Sequence, residues 1–170
     1  VAGGVAGLAA SIAAAEKGAK VIVFEKGSTT GGTGNMGMGP LGVESRLQQQ
    51  KKLGPSKDEA FKAFMDYTHW QVDARLVRAY LDKAATTIDW LEQMGVQFTE
   101  PRPHNPSQNP THHVIKGPAW QPTPYQPDAR DPRRRSPSGT MIGTIMTNRS
   151  KELGVKFFLE TAAQKLIKEN

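Results

Sequence analysis

Between Gly7 and Lys17 the chain is mostly Ala, Leu and Ile without a proline, which predicts a helix packed closely against a sheet and stopped by Gly18. Ala19 to Phe24 (AKVIVF) follows as a continuous apolar and β-branched run, the pattern of a parallel strand buried on both faces. Helix, glycine and buried strand make half of a βαβ unit, and its first strand is expected ahead of Val1. Further on, Ser56 followed by Glu59 is a capping box that opens a helix with Ala60, Phe61, Phe64 and Met65 on one face. A second helix is predicted from Asp73, allowing for a break, through Leu76, Val77, Tyr80, Leu81, Ala84, Ile88, Leu91 and Met94. Gly95 ends it, and Val96 to Phe98 reads as a short strand. Ser138 is expected to cap a third helix with Met141, Ile142, Ile145, Met146 and Leu153 inward, closed by Gly154. Val155 to Leu159 (VKFFL) is a second buried-strand pattern, and Ala162 to Ile167 reads as the start of another strand.

Two segments resist that pattern. Gly27, Gly31, Gly32, Gly34, Gly37, Gly39 and Gly42 crowd one loop, so something must approach its backbone closely or it must turn repeatedly. Pro101 to Pro137 is dense in proline, which argues against regular helix or interior strand and predicts a long loop.

Composition narrows the class. With 170 residues, 37% of them hydrophobic, the chain can supply a core. No apolar run approaches the roughly 18 to 20 residues that span a bilayer, so no transmembrane segment is predicted. The absence of cysteine excludes disulfides and thiolate chemistry, and no His spacing suggests a metal site. The net charge of +6 rests largely on Arg130, Arg133, Arg134 and Arg135 in the proline-rich stretch, with no aromatic interleaved from Arg130 to Arg135 and no recognisable reading helix of a nucleic-acid surface. No nucleic-acid partner is therefore predicted.

The candidate chemistry lies at the start. VAGGVAGLAA can be set against the dinucleotide fingerprint G-x-G-x-x-G with Gly4 and Gly7 as its second and third glycines and Ala2 in place of the first. Gly4 lets amides of a helix N-terminus approach a pyrophosphate, and Gly7 allows close packing of helix on sheet. Glu25, at the end of the apolar run, can accept hydrogen bonds from a ribose hydroxyl. These two features suit nicotinamide and flavin dinucleotides alike. A nicotinamide-binding domain should place a helix soon after the acidic residue, whereas here STTGGTGNMGMGPLG follows.

That glycine-rich continuation resembles the FAD-dependent fumarate reductase and succinate dehydrogenase flavoprotein family, and the likeness extends through IDWLEQMGVQF and GVKFFLETAAQKLI. The resemblance implies an α/β, Rossmann-like FAD-binding fold of the two-dinucleotide-binding-domain type, incomplete, with part of a capping domain. Residues 1–100 would form the N-terminal part of the FAD-binding domain, 101–137 a proline-rich loop near the substrate or capping region, and 138–170 a return to the FAD-binding domain. FAD is the implied cofactor. Gly3, Gly4, Val5, Ala6, Gly7, Glu25, Lys26, Thr30, Gly31, Gly32, Thr33, Asn35, Met36, Met38, Gly39 and Ala163 are its implied contacts, with Gly31 to Gly39 along the flavin side and Ala163 near the adenine.

The implied reaction is hydride transfer to or from a carbon–carbon bond of a small unsaturated acid of the fumarate/succinate type, or of an enone. The proline-rich loop departs from the family pattern, and its His104, His112 and His113 are candidate substrate contacts beside the alternative of ordinary loop histidines. The family's acid and substrate-clamping arginines are expected beyond Asn170, so this stretch alone is expected to be inactive. A small-molecule substrate, an electron-transfer partner and a cytoplasmic setting complete the expectation, with a periplasmic or membrane-associated complex as the other setting. An NAD-dependent dehydrogenase and a binding module built on the basic loop are the rival readings.

Overall fold

Gly4, extended at φ −69° and ψ 167°, opens helix α1 (Val5–Ala15), and the Leu8 amide donates to its carbonyl at 2.8 Å. The helix buries Leu8, Ser11 and Ile12 and ends as its sequence predicts, at Gly18 in the left-handed region with φ +82°. In the computed structural model the described residues are 2–37, 39–102, 112–115 and 137–165. They fall into two compact units, Val1–Met38 with Trp120–Asn170, and Gly39–Ala119.

In the first unit β1 (Ile22–Phe24) pairs in parallel with β4 (Lys156–Phe158), Ile22 opposite Lys156 and Phe24 opposite Phe158. α5 (Pro137–Glu152) packs against α1 and against a 3₁₀ helix at Gly32–Met36. Burial on both faces of these strands is not what forms. Val23 is buried, whereas Ile22 is 45% exposed, Phe24 40% and Phe158 47%, and the two phenylalanine rings stack at 5.5 Å. Successive strand residues point to opposite faces. α1 packs on β1, and among the described residues nothing buries the face that carries Ile22 and Phe24.

α5 starts at Pro137, one residue ahead of the expected cap, where the missing proline N–H costs nothing. It buries Ile142 and Met146 as expected, leaves Met141, Ile145 and Leu153 half-buried, and buries Gly143, Thr147 and Ser150 as well. Gly154 closes it at φ +81°. The expected strand after Ala162 does not form through residue 165. The chain is tied back instead, Glu160 N–H to the Gly27 carbonyl at 3.0 Å and Thr161 N–H to the Glu25 carbonyl at 2.9 Å. Ile167 lies outside the described residues.

The second unit comprises α2 (Arg46–Lys51), α3 (Lys57–Tyr67), α4 (Ala74–Gln93) and an antiparallel pair, β2 (Phe98–Arg102) with β3 (His112–Ile115). Val43, Met65, Val77, Leu81 and Ala84 form its core, with Ala60, Phe61 and Ala74 packed against them. The Ser56–Glu59 capping box is present, and α4 is unbroken from its Asp73 cap to Gly95 at φ +98°. Phe64, Leu76 and Tyr80 point outward rather than into the core. Leu76 sits one position off the i, i+3, i+4 stripe of Val77, Leu81 and Ala84, whereas Phe64 and Tyr80 fall at i+3 from Phe61 and Val77 and are exposed all the same.

Two strand expectations also change. β2 begins at Phe98, where the predicted strand should end, and β3 lies inside the stretch whose prolines argue against interior strand. A two-stranded ribbon has only edge strands, and the register irregularity between Phe98 and Pro101 gives the proline, which has no N–H to donate, a tolerated position. Among the described residues no helix is long and apolar enough to cross a membrane.

Candidate functional site

The polar chemistry of the first unit gathers where α1 begins. The Gly31 amide donates to the Gly3 carbonyl at 2.8 Å, and Gly4 and Gly31 form an isolated parallel bridge, so the glycine-rich loop runs along the turn that enters α1. Glu25, just past β1, fastens both. Its Oε2 accepts the Gly3 N–H at 3.0 Å and its Oε1 the Gly27 N–H at 2.8 Å.

This crossing requires glycine at specific points. A Cβ on Gly3 would meet Glu25 Cβ and Oε2 at 3.0 Å, and one on Gly34 would lie 2.1 Å from Val5 Cγ2. Gly31 holds φ +96°, and its Cβ would overlap the Asn35 amide. Asn35 is buried and donates through Nδ2 to the Thr30 carbonyl at 2.9 Å. Thr30 in turn meets Thr147 of α5, hydroxyl to hydroxyl, at 2.7 Å.

Gly4 is the exception, because a Cβ there would meet nothing within 4 Å. Its surroundings are open at the place where α1 presents its first amides. The first N–H groups of a helix lack intrahelical partners, and α1 has neither a side-chain cap nor an acidic residue in its first turn. Amides left without intrahelical partners, the positive end of the helix dipole and open space are what an anion site requires. The residues present thus fit a dinucleotide phosphate. Glu25, with each carboxylate oxygen holding one amide and a further lone pair available, fits a hydroxyl beside it.

The structure therefore brings together Gly3, Gly4, Val5, Glu25, Gly31, Gly32 and Asn35. Ala6 is exposed and Gly7 half-buried on α1, Lys26 and Thr33 are exposed, and Met36 is exposed at the end of the 3₁₀ helix. Ala163 is exposed in the irregular segment after β4. Gly39, at φ +129°, opens the second unit. Met38, His104 and the side chain of His112 lie outside the described residues.

His113 is fully buried within the second unit. Its Nε2 lies 2.7 Å from the Ser45 hydroxyl and its ring stands edge-on to Phe98 at 5.9 Å, so it can reach a substrate only by leaving Ser45. Gly143 and Thr147 were not singled out by the sequence reading, although Gly143, Thr147 and Ser150 form a helical stripe of small residues. Ser45 and Gln48 were overlooked as well, although S-x-x-Q is a capping-box signature.

The sequence profile of a family described as an FAD binding domain matches residues 1–170. The chain is 37% identical over 114 residues to a vinyl phenol reductase of Lactiplantibacillus plantarum, an alignment that covers 67% of this chain and 23% of that protein. It is 33% identical over 101 residues to an NADH:fumarate oxidoreductase of Klebsiella pneumoniae, covering 59% and 11%. The open conformation of a flavocytochrome c3 fumarate reductase superimposes with a TM-score of 0.77 at 23% identity over 94% of this chain and 26% of its own. A 3-ketosteroid-Δ4-(5α)-dehydrogenase from Rhodococcus jostii RHA1 gives 0.72 at 24% identity, over 94% and 36%. The chain thus spans about a quarter or less of the length of the curated relatives it matches.

Proposed function

Since the chain belongs to the FAD-binding domain family and FAD is its cofactor, we propose that the protein is an FAD-dependent oxidoreductase acting on an activated carbon–carbon double bond. FAD supplies, when bound, the two-electron chemistry, a hydride to one alkene carbon while a proton reaches the other. The observation that carries this reading is the uncapped start of α1, open at Gly4 and flanked by Glu25.

The amides of Gly4, Val5, Ala6 and Gly7 would hold the pyrophosphate, with Gly3 shaping the turn, and Glu25 would accept from the adenosine ribose. Thr30, Gly31, Gly32, Thr33, Asn35, Met36, Met38 and Gly39 would lie along the flavin side, Lys26 beside the ribose and Ala163 near the adenine. His112 is the candidate for the substrate. Vinyl phenol and fumarate, the compounds in the relatives' names, share an alkene but only fumarate carries carboxylates. This supports the broader class, an unsaturated acid or a conjugated alkene, and a separate electron donor.

The test is titration of the purified protein with FAD, followed by anaerobic oxidation of a reduced dye with fumarate or a vinyl phenol as acceptor. Saturable quenching of flavin fluorescence is expected. Turnover with one acceptor would fix the substrate class, and no flavin binding would overturn the reading.

A further inference from the structure

The segment Pro40 to Ser45 is held from several directions at once. The His113 amide donates to the Pro40 carbonyl at 3.0 Å, and the Gln48 side chain donates to the Gly42 carbonyl at 3.0 Å. Ser45 N–H donates to Gln48 Oε1 at 3.0 Å, while its hydroxyl accepts the Gln48 amide and meets His113 Nε2 at 2.7 Å. Glu44, between the buried Val43 and Ser45, sits at φ +54°, a left-handed conformation that is strained for a non-glycine residue. It is pinned there by the Lys57 amide on its carboxylate at 3.0 Å and by the Gln49 side chain on its carbonyl at 3.1 Å. Strain of this kind persists only where the surroundings over-determine the backbone.

His113 is the keystone. Its ring lies so close to Gly42 that a Cβ there would come within 2.2 Å of Cε1. It is the residue that β3 contributes to the lock through both backbone and ring. Ser45, Gln48 and His113 are all fully buried, so the network is a rigid polar core rather than a surface clasp. The segment it fixes follows directly on Gly39, which opens the same unit.

We infer that His113, acting through Ser45, is a positioning residue that sets the backbone of Pro40–Ser45 and thereby Gly39, the end of the glycine-rich loop that belongs to the same unit. The inference rests on the proposed flavin assignment of that loop, and it gives His113 an effect on the cofactor without contact. Substituting the ring would free the segment and change the flavin's surroundings, whereas a side chain that can still meet Ser45 would preserve them.

The test uses the FAD-loaded full chain and compares His113→Phe, His113→Gln and Ser45→Ala by FAD affinity, visible circular dichroism of the flavin and its reduction potential. H113F and S45A are expected to keep their far-ultraviolet spectrum, to bind FAD roughly tenfold more weakly, the equivalent of one buried hydrogen bond, and to shift the visible bands and the potential. H113Q should recover most of each change. If H113F does not fold, H113Q and S45A decide. Unchanged flavin spectra and potential in folded variants that only melt earlier would overturn the inference and leave His113 a purely structural residue. A wild-type protein that holds no flavin would instead overturn the cofactor assignment beneath it.

Discussion

Glu25 Oε2 accepts the amide N–H of Gly3 at 3.0 Å, joining the end of β1 to the turn that opens α1 across a separation of 22 residues. Glu25→Gln puts an amide donor where two carboxylate oxygens now accept, so one N–H would face another. FAD binding is expected to weaken by about 1.5 to 3 kcal/mol, the range for hydrogen bonds to a charged group. A fluorescence titration checks this, and unchanged affinity would detach Glu25 from the site.

Gly4→Ala separates fold from binding. A Cβ at Gly4 meets no protein atom within 4 Å and the backbone there is extended, so stability in urea should move by less than about 0.5 kcal/mol. FAD affinity should fall at least about tenfold if phosphate oxygens occupy that space. Gly34→Ala should do the reverse first, because its Cβ would lie 2.1 Å from Val5 Cγ2 and overpacking of this kind typically costs about 1 to 3 kcal/mol.

Ser56 holds the Glu59 carboxyl below its ordinary 4.5, first through its backbone N–H and then through its hydroxyl. A carboxyl whose pKa is lowered on folding adds stability above its unfolded value and loses it as pH falls through the folded one. Ser56→Ala keeps the backbone N–H and loses the hydroxyl, so it should lower the melting temperature at neutral pH by the hydroxyl's share alone, with the gap to wild type narrowing as pH drops below 4.5. Thermal melts at the two pH values measure it.

Two leucines on α4 should behave oppositely. Leu81 is 4% exposed in the core of its unit, and Leu81→Ala should cost about 2 to 5 kcal/mol. Leu76 is 72% exposed, and Leu76→Ala should stay within about 0.5 kcal/mol of wild type. Denaturant unfolding monitored by circular dichroism compares the two.

What the sequence made legible was local. Gly18 after an alanine-rich helix, the Ser56–Glu59 box and Asp73 ahead of α4 are signals within a few residues, and each formed where expected. The glycines near Gly31 were readable as a close approach because no other residue tolerates that backbone. What crosses the chain was not readable. The exposed face of Phe24 depends on what lies over the strand, and β3 depends on pairing with β2 despite Pro101. The α5 stripe of Gly143, Thr147 and Ser150 reads as polar until α1 and the 3₁₀ helix lie against it, where Ser11 and Ser150 hydroxyls meet at 3.2 Å. His113 was singled out for its chemistry, but its burial with Ser45 follows from β3 and could not be foreseen.

The parallel pairing of β1 with β4 also has a kinetic consequence. Ile22 finds Lys156 only after the whole contiguous unit from Gly39 to Ala119 has been looped out between them. Closing so long a loop must precede any stabilisation from the ladder, whereas α3 and α4 meet across a short turn. The first unit should thus fold late, and the phosphate site proposed for it should be completed last. In pulse-labelled hydrogen exchange the amides of α4 should gain protection before those of β1, and FAD added to refolding chains should have nothing to bind until the two distant strands have met.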